Sequence, residues 1–336
     1  MIERQSNIEL LRILSILALL LLHFCIYSLY HSVAYANQTG FWEYFPRIVC
    51  SLTTIQVNIF VLISGWFGIR TNIKKIISFY LICVFYALLT YGLSFIDTAT
   101  TFSIKNFILS FLPFSFLPGW WFVKAYLVLM LLAPLFNKAI EHMSKQEYIW
   151  VLCALTLINV YYGFLSQQPI NPHGTNFMQL MYMYFIGRYL ALHVSIGQNK
   201  LRKWSAIFAI IGIAIYSVIW IANDHSLHIV NSLTFFNNNN PLAIFNAIVI
   251  FLFFTTIPFQ SRPINWLAKG VFPVYLIHQS VWISQYWNNN LSLVYDSFSP
   301  GIAWIVVSAI CMVYCFTVLC FDHIRAWITN PIVNKV

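Results

Sequence analysis

Long apolar stretches almost free of charge recur along the whole chain. A membrane-spanning helix needs about 20 apolar residues. Such stretches can be placed ten times, at about 11–31, 44–66, 75–97, 119–139, 147–165, 177–193, 204–222, 241–258, 269–287 and 301–321. Inside a bilayer a backbone segment must satisfy its own hydrogen bonds, which a helix does. We therefore expect an all-α membrane protein with about ten transmembrane helices.

The composition excludes a soluble protein of this length. Only 8% of the 336 residues are charged and 60% are hydrophobic, whereas soluble domains carry about 25% charged residues. Neither a soluble segment nor a long linker separates the apolar stretches, so we predict one integral membrane domain over residues 1–336. The seven cysteines lie mostly within apolar stretches, and their odd number argues against a disulfide framework. We predict neither disulfides nor a metal site.

The basic residues lie almost entirely on one side of the predicted spans. With the N-terminus in the cytoplasm, 14 of the 18 Lys and Arg residues fall in cytoplasmic loops: Arg4, Arg70, Lys74, Lys75, Lys138, Lys145, Arg188, Lys200, Arg202, Lys203, Arg262, Lys269, Arg325 and Lys335. The opposite side receives Lys105 alone. This asymmetry follows the positive-inside rule and predicts that both termini are cytoplasmic. The net charge of +9 is therefore no sign of nucleic-acid binding.

The first predicted span carries an arginine and a histidine on one face. Ionisable residues inside a membrane are costly, so each is a candidate functional residue. Arg12 and His23 are eleven residues apart, which places them about 16 Å apart along a helix on the same side. Glu9 lies on that side too. A snorkelling arginine or a hydrogen-bonded histidine would explain either residue alone, but the aligned pair favours function.

The second predicted span carries a polar stripe. Arg47, Ser51, Thr54 and Asn58 recur at helical spacing. Such a stripe either lines a water-filled cavity or joins helices through hydrogen bonds, and the spacing leaves both open. The segment 64–68, which contains two glycines, follows at the helix end. There the backbone could approach a ligand closely.

Two further spans contain polar groups of interest. His278 lies near the middle of the predicted span 269–287. Lys124 lies one turn beyond Trp120 and Trp121, at the start of the span 119–139. Tryptophan at a membrane boundary is typical of an interfacial aromatic belt. That explanation suffices for Trp120, whereas Lys124 is a candidate functional residue.

Several of these motifs, taken in order, resemble the acyltransferase-3 family. They are Arg12-x10-His23, the segment 60–67, Trp121-Phe122 with Pro134 and Asn137, the segment 185–189, and Tyr275-Leu276-Ile277-His278. Members of this family are bacterial multi-pass membrane enzymes. They move acyl groups, usually acetyl, from acyl-coenzyme A to extracytoplasmic sugars. The resemblance covers almost the whole chain. The chain resembles the stand-alone members that modify capsule, exopolysaccharide or related surface glycans.

The resemblance implies a role for each candidate residue. It makes His23 the catalytic residue and Arg12 a catalytic-site residue that recognises coenzyme A. Arg70, Lys74, Lys75 and Arg188 would join Arg12 in binding the donor phosphates on the cytoplasmic side. The acceptor would contact a group of polar and aromatic residues: Arg47, Ser51, Asn58, Trp121, Lys124 and His278.

The implied chemistry uses acyl-coenzyme A, with acetyl-CoA first, as a donor substrate and no permanently bound cofactor. The acceptor would be a surface glycan or its lipid-linked precursor, with polysaccharide-assembly proteins as partners. The location would be the bacterial cytoplasmic membrane. His23 could act as a general base or carry the acyl group itself, and the sequence leaves both routes open.

Two departures from the family pattern bear on these roles. Lys74 and Lys75 stand where relatives often have arginines, and lysine lacks the bidentate grip on phosphate. Gln279 follows His278 where relatives often have an acidic residue, which weakens a catalytic role for His278. The alternative functions are a glycan flippase, exporter or polymerase, or a scaffold in a capsule-synthesis complex. The concentration of deep polar groups on four spans favours the transferase.

Overall fold

All regular secondary structure in the described part of the chain is helical. The computed structural model describes residues 4–96, 101–114, 119–195 and 197–334, and no strand occurs among them. The α-helices are α1 (Ser6–His23), α2 (Val33–Ala36), α3 (Phe41–Thr53), α4 (Gln56–Phe67), α5 (Ile73–Leu93), α6 (Ile104–Leu109), α7 (Trp121–His142), α8 (Lys145–Thr156), α9 (Phe177–His193), α10 (Gln198–Ala222), α11 (Pro241–Thr255), α12 (Arg262–Leu267), α13 (Val271–His278), α14 (Ser284–Asp296) and α15 (Pro300–Asn334). The predicted all-α class is confirmed.

Shorter helical turns of other types join these helices. Within the described ranges, three are π-helical, at Phe24–Ser28, Leu157–Leu165 and Asn223–Leu227. Four 3-10 turns occur in the same part of the chain, at Leu29–His31, Ser94–Ile96, Ser232–Phe236 and Ala268–Gly270. Lys335, one of the basic residues predicted to be cytoplasmic, lies outside the described residues.

Eight helical segments among the described residues are long and apolar enough to cross a membrane. They are Ser6–His31, Phe41–Phe67, Ile73–Ile96, Trp121–His142, Lys145–Leu165, Gln198–Leu227, Ser232–Thr255 and Pro300–Asn334. The protein is therefore a multi-pass membrane protein. The predicted span at 177–193 coincides with the 17-residue helix α9. The count of ten spans and the cytoplasmic location of the termini stay predictions.

The prediction of one continuous helix over 269–287 is wrong. Helix α13 ends at His278, and α14 begins only at Ser284. Ser280 is buried in the turn between them and donates a hydrogen bond from its hydroxyl to Thr90 at 2.8 Å. The backbone amide of Ser280 also closes a turn on the carbonyl of Ile277. These two bonds stop the helix directly after His278.

The second predicted span is also divided. Helix α3 ends at Thr53 and α4 starts at Gln56, although the two form one apolar segment long enough to cross the membrane. The hydroxyls of Thr53 and Thr54 donate to backbone carbonyls one turn earlier. Such bonds bend helices, which explains why the predicted helix over 44–66 is interrupted.

The contacts within the chain divide it into two compact units. The first comprises Met1–Leu22, Gly40–Arg70 and Ala125–Ser261, and the second comprises His23–Thr39, Thr71–Lys124 and Arg262–Val336. In the first unit α4 and α9 pack closely at Gly65 and Gly187. A Cβ atom at Gly65 would overlap the carbonyl oxygen of Tyr184, and one at Gly187 would overlap that of Leu62. The predicted close approach of the Gly65 backbone is therefore to another helix.

A buried polar network joins two helices of the second unit. Arg325 forms two hydrogen bonds to Asp322, at 2.7 and 2.8 Å, and donates a third to Thr329. Tyr86 of α5 donates to Asp322 at 2.9 Å. Because Asp322 and Arg325 are both buried, this pair fixes α15 against α5.

Candidate functional site

Two histidines far apart in sequence meet in the second unit. The Nδ1 atom of His23 lies 2.7 Å from Nε2 of His278, and the ring centroids are 5.0 Å apart. The Nδ1 atom of His278 lies 2.6 Å from the carbonyl oxygen of Val274. His278 is 1% exposed, whereas His23 is partly exposed. The structure thus forms an imidazole pair with one buried and one accessible member.

Both histidines lie at points where regular α-helix stops. His23 is the last residue of α1, and the π-helical segment Phe24–Ser28 follows it directly. His278 is the last residue of α13. π-Helical segments occur frequently at functional sites. Here the segment places Tyr27 against the His23 ring, with the centroids 5.4 Å apart.

The side chain of Gln279 joins the pair. Its Nε2 atom lies 3.0 Å from Nδ1 of His23. The residue that stands where relatives often carry an acid therefore contacts the imidazole of His23.

The segment that precedes α7 supports the C-terminal end of α13. The indole nitrogen of Trp120 donates to the carbonyl of Leu276 at 3.2 Å, and the Tyr275 hydroxyl donates to the carbonyl of Gly119 at 3.3 Å. Gly119 has a positive φ of 88°, and a Cβ there would approach the Gln279 carbonyl to 2.9 Å. Trp120 is fully buried, so the expectation of an interfacial belt tryptophan is wrong.

Arg12 is held by Glu9 in the first unit. Its Nη1 atom lies 3.3 and 3.4 Å from the two carboxylate oxygens. Arg4 also contacts this carboxylate at 3.4 Å. Among the described residues, Nε and Nη2 of Arg12 have no hydrogen-bond acceptor. The expected same-side placement of Glu9 and Arg12 is confirmed.

Arg188 lies beside the glycine that ends α4. Gly68 has a positive φ of 70°, and a Cβ there would lie 3.4 Å from Nη1 of Arg188. Nη1 contacts the carbonyl of Trp66 at 3.5 Å, while the buried Nε has no hydrogen-bond partner among the described residues. The guanidinium therefore retains hydrogen-bonding capacity for a ligand.

The other residues expected to bind the donor or acceptor differ in exposure. Arg70, Lys74 and Lys75 are exposed, and the two lysines lie in the first turn of α5. Trp121 and Lys124 are half-buried in the first turn of α7.

The polar stripe of the second span is engaged within the first unit. Arg47 pairs with Asp224 at 3.0 Å. Ser51 is buried and donates to the carbonyl of Arg47 at 2.7 Å. Asn58 is buried and donates to the carbonyl of Asn238 at 2.9 Å. Of the two interpretations left open, the contacts of Arg47 and Asn58 favour hydrogen bonds that join helices and loops, whereas the bond of Ser51 lies within α3. Acceptor binding by these residues stays a prediction.

Sequence reasoning missed two contributors to the imidazole pair. Gln279 was regarded as a substitution that weakens His278, although an amide next to a membrane histidine is itself a signal of hydrogen bonding. Trp120 carries no signal that distinguishes it from a belt tryptophan. In the described part of the chain, no group of three or more His, Cys, Asp or Glu residues could hold a metal ion.

These observations define a multi-pass helical membrane protein with an imidazole pair. A family model, Acyl_transf_3, described as an acyltransferase domain, matches residues 5–321. The chain therefore belongs to the acyltransferase-3 family and is a membrane acyltransferase. Searches against curated proteins and against solved structures found no match.

Proposed function

We propose that the protein transfers an acetyl group from cytoplasmic acetyl-coenzyme A to a hydroxyl of a capsular or other surface polysaccharide, or of its lipid-linked precursor, in the bacterial cytoplasmic membrane. The observation that carries this proposal is the 2.7 Å contact between His23 and His278. A partly exposed imidazole oriented by a second group is the arrangement that general base catalysis requires.

The step conserves atoms and charge with His23 as the proton carrier. The acceptor hydroxyl gives its proton to His23 while its oxygen forms a bond to the thioester carbonyl carbon. The carbon–sulfur bond then breaks, and the leaving thiolate takes the proton from His23. General base catalysis of this kind contributes about 10²–10⁴-fold to the rate.

The donor phosphates would bind the basic residues at the predicted cytoplasmic ends of the helices. Arg12 offers Nε and Nη2 to a phosphate while Glu9 holds Nη1. Arg188 is half-buried, and its Nε has no hydrogen-bond partner among the described residues. Lys74 and Lys75 occupy the first turn of α5, where the helix dipole disfavours cations. An anionic ligand would relieve that repulsion.

The acceptor is proposed to bind through Trp121, Lys124 and the partly exposed ring of His23. An aromatic ring and a long cationic side chain suit a sugar that carries hydroxyl and carboxylate groups. Arg47, Ser51 and Asn58 already bond within the protein, so their part would be to stabilise α3 and α4 within the first unit.

The test uses membranes isolated from cells, to which radioactive acetyl-coenzyme A is added, together with polysaccharide purified from whole cells. We expect label to enter the surface polysaccharide in wild-type membranes, and His23→Gln to abolish labelling. The matched control is His31→Gln, which changes an exposed histidine eight residues further along and should retain activity. Proton NMR of the polysaccharide from cells with and without the gene should differ by an O-acetyl signal.

Labelling that persists in His23→Gln at normal protein levels would contradict the role of His23. Label from a longer acyl-coenzyme A but none from acetyl-coenzyme A would contradict the acetyl donor alone. Identical polysaccharide NMR spectra would contradict the proposed acceptor.

A further inference from the structure

We infer that His278 is a positioning residue that holds His23 in the tautomer protonated at Nδ1, which leaves Nε2 of His23 as the atom that accepts the proton. This inference deepens the proposed function and, for its kinetic part, rests on it. It also replaces acceptor binding as the role of His278.

His23, His278 and the backbone carbonyl of Val274 form a series of hydrogen bonds. The direction of these bonds follows from the carbonyl at its end. A backbone carbonyl can only accept, so Nδ1 of His278 must carry a proton to bond the oxygen of Val274 at 2.6 Å. A neutral imidazole has one N–H group. Nε2 of His278 is therefore an acceptor, and the proton in its 2.7 Å contact comes from Nδ1 of His23.

The opposite arrangement would require a charged His278. If Nε2 of His278 donated, both of its nitrogens would carry protons and the ring would be an imidazolium. His278 is 1% exposed, and its two ring nitrogens contact a backbone carbonyl and another imidazole. A buried charge without a carboxylate partner is strongly disfavoured, so the neutral arrangement is the stable one.

Gln279 is compatible with the same tautomer. Its amide lies 3.0 Å from Nδ1 of His23. A half-turn of the amide exchanges its nitrogen and oxygen, so that the oxygen becomes a second acceptor for the Nδ1 proton. Two acceptors at Nδ1 also stabilise His23 after it takes up a proton at Nε2.

His278 and the Val274 carbonyl, which end this series of hydrogen bonds, are held rigidly. The carbonyl of Val274 also accepts from the Tyr314 hydroxyl at 3.2 Å. The end of α13 is held further by the bonds of Trp120 and Tyr275 described above. The ring of His278 therefore has little freedom to turn, and the tautomer of His23 is fixed before a substrate binds.

The consequence is that both chemical routes use one nitrogen. As a general base His23 takes the hydroxyl proton at Nε2, and Nδ1–H remains bonded to His278 throughout. As an acyl carrier it would form the bond at Nε2 as well, because the lone pair of the protonated Nδ1 belongs to the aromatic π system and only Nε2 has a free in-plane lone pair. No reorganisation of the pair accompanies either step.

Two variants of His278 separate positioning from loss of packing. His278→Gln can place an amide oxygen near the position of Nε2, so it can still accept from His23. His278→Asn reaches only the position of Nδ1, so it can bond Val274 but not His23. We expect His278→Gln to keep kcat within about 10-fold and His278→Asn to lose about 10²–10⁴-fold. KM for the acyl donor should be unchanged in both.

Nitrogen NMR of ¹⁵N-histidine protein in nanodiscs reads the tautomer directly, and the His23→Gln spectrum identifies the signals of His23. We expect an Nδ1–H tautomer in the wild type and in His278→Gln, and a mixture in His278→Asn. Since no substrate is needed, this result stands even if no acylation is detected. A wild-type His23 protonated at Nε2, or full kcat in His278→Asn, would overturn the inference.

Discussion

The indole of Trp120 donates a hydrogen bond to the carbonyl of Leu276 at 3.2 Å. The helix α13 stops at His278, so this carbonyl lies in its last turn, where carbonyls lack partners within the helix. The side chain that satisfies it lies 156 residues earlier in the chain. The end of α13, and with it His278, is therefore held by a segment that the sequence places at the start of another helix.

Removal of this donor should disturb His278 without removing an aromatic ring. Trp120→Phe leaves the Leu276 carbonyl buried without its partner, which costs about 1–3 kcal/mol. We expect a lower thermal unfolding temperature in detergent and a lower acylation rate. Trp121→Phe is the control for stability, because Trp121 is only half-buried. Equal unfolding temperatures of the two variants would show that this hydrogen bond contributes nothing to stability.

The crossing of α4 and α9 gives a second prediction. Gly65→Ala places a methyl group against the backbone of Tyr184 and Gly187, and overpacking of this kind costs about 1–3 kcal/mol. At Gly92 of α5 a Cβ would meet nothing within 4 Å. Gly92→Ala should therefore be neutral or stabilising by up to about 1 kcal/mol, because alanine favours helix. Thermal unfolding in one detergent compares the two variants, and only Gly65→Ala should lower the unfolding temperature.

The buried ion pair of α15 gives a third prediction. Asp322→Asn leaves Arg325 buried without its counter-charge, and breaking such a pair costs about 3–5 kcal/mol. The double variant Asp322→Leu/Arg325→Leu removes both charges and should be much less destabilised. Yield and unfolding temperature in detergent distinguish them. A double variant less stable than Asp322→Asn would mean that the pair itself supplies net stability.

The contact between Arg12 and Glu9 predicts a change in donor binding. Arg12→Lys keeps the charge but loses the planar guanidinium, and Glu9→Gln removes the carboxylate that holds Nη1. We expect KM for acyl-coenzyme A to rise about 10–100-fold in Arg12→Lys and less in Glu9→Gln, with kcat retained at saturating donor. Glu141→Gln, at an exposed position, is the control. An unchanged KM in Arg12→Lys would leave Arg12 as an interfacial residue only.

The predicted orientation can be tested by labelling single cysteines in intact cells, with the seven native cysteines replaced. Gln146→Cys should be shielded from a membrane-impermeant thiol reagent, and so should cysteines in 195–200 and 260–264. Gln168→Cys and His225→Cys should react, since both positions are exposed and lie on the predicted outer side. The reversed pattern would place the basic residues outside, away from cytoplasmic coenzyme A.

The sequence predicted the parts of the site that depend on local spacing. Arg12 and Glu9 are three residues apart, and a helix brings such residues together whatever surrounds it. The importance of His23 followed from the cost of an imidazole within an apolar helix. The contact with His278 could not be predicted, because 255 residues separate the two and no local periodicity relates the ends of two different helices.

The sequence by itself determined the class of protein, because a chain with 8% charged residues and repeated long apolar stretches can satisfy its backbone in a membrane only as helices. The tertiary structure alone decided where two of those helices break. Ser280 ends α13 by bonding to Thr90 of another helix, and the direction of the bonds between His23 and His278 depends on a carbonyl that only the folded chain presents. Hydropathy measures transfer into lipid, and it contains no information on which polar groups meet across helices.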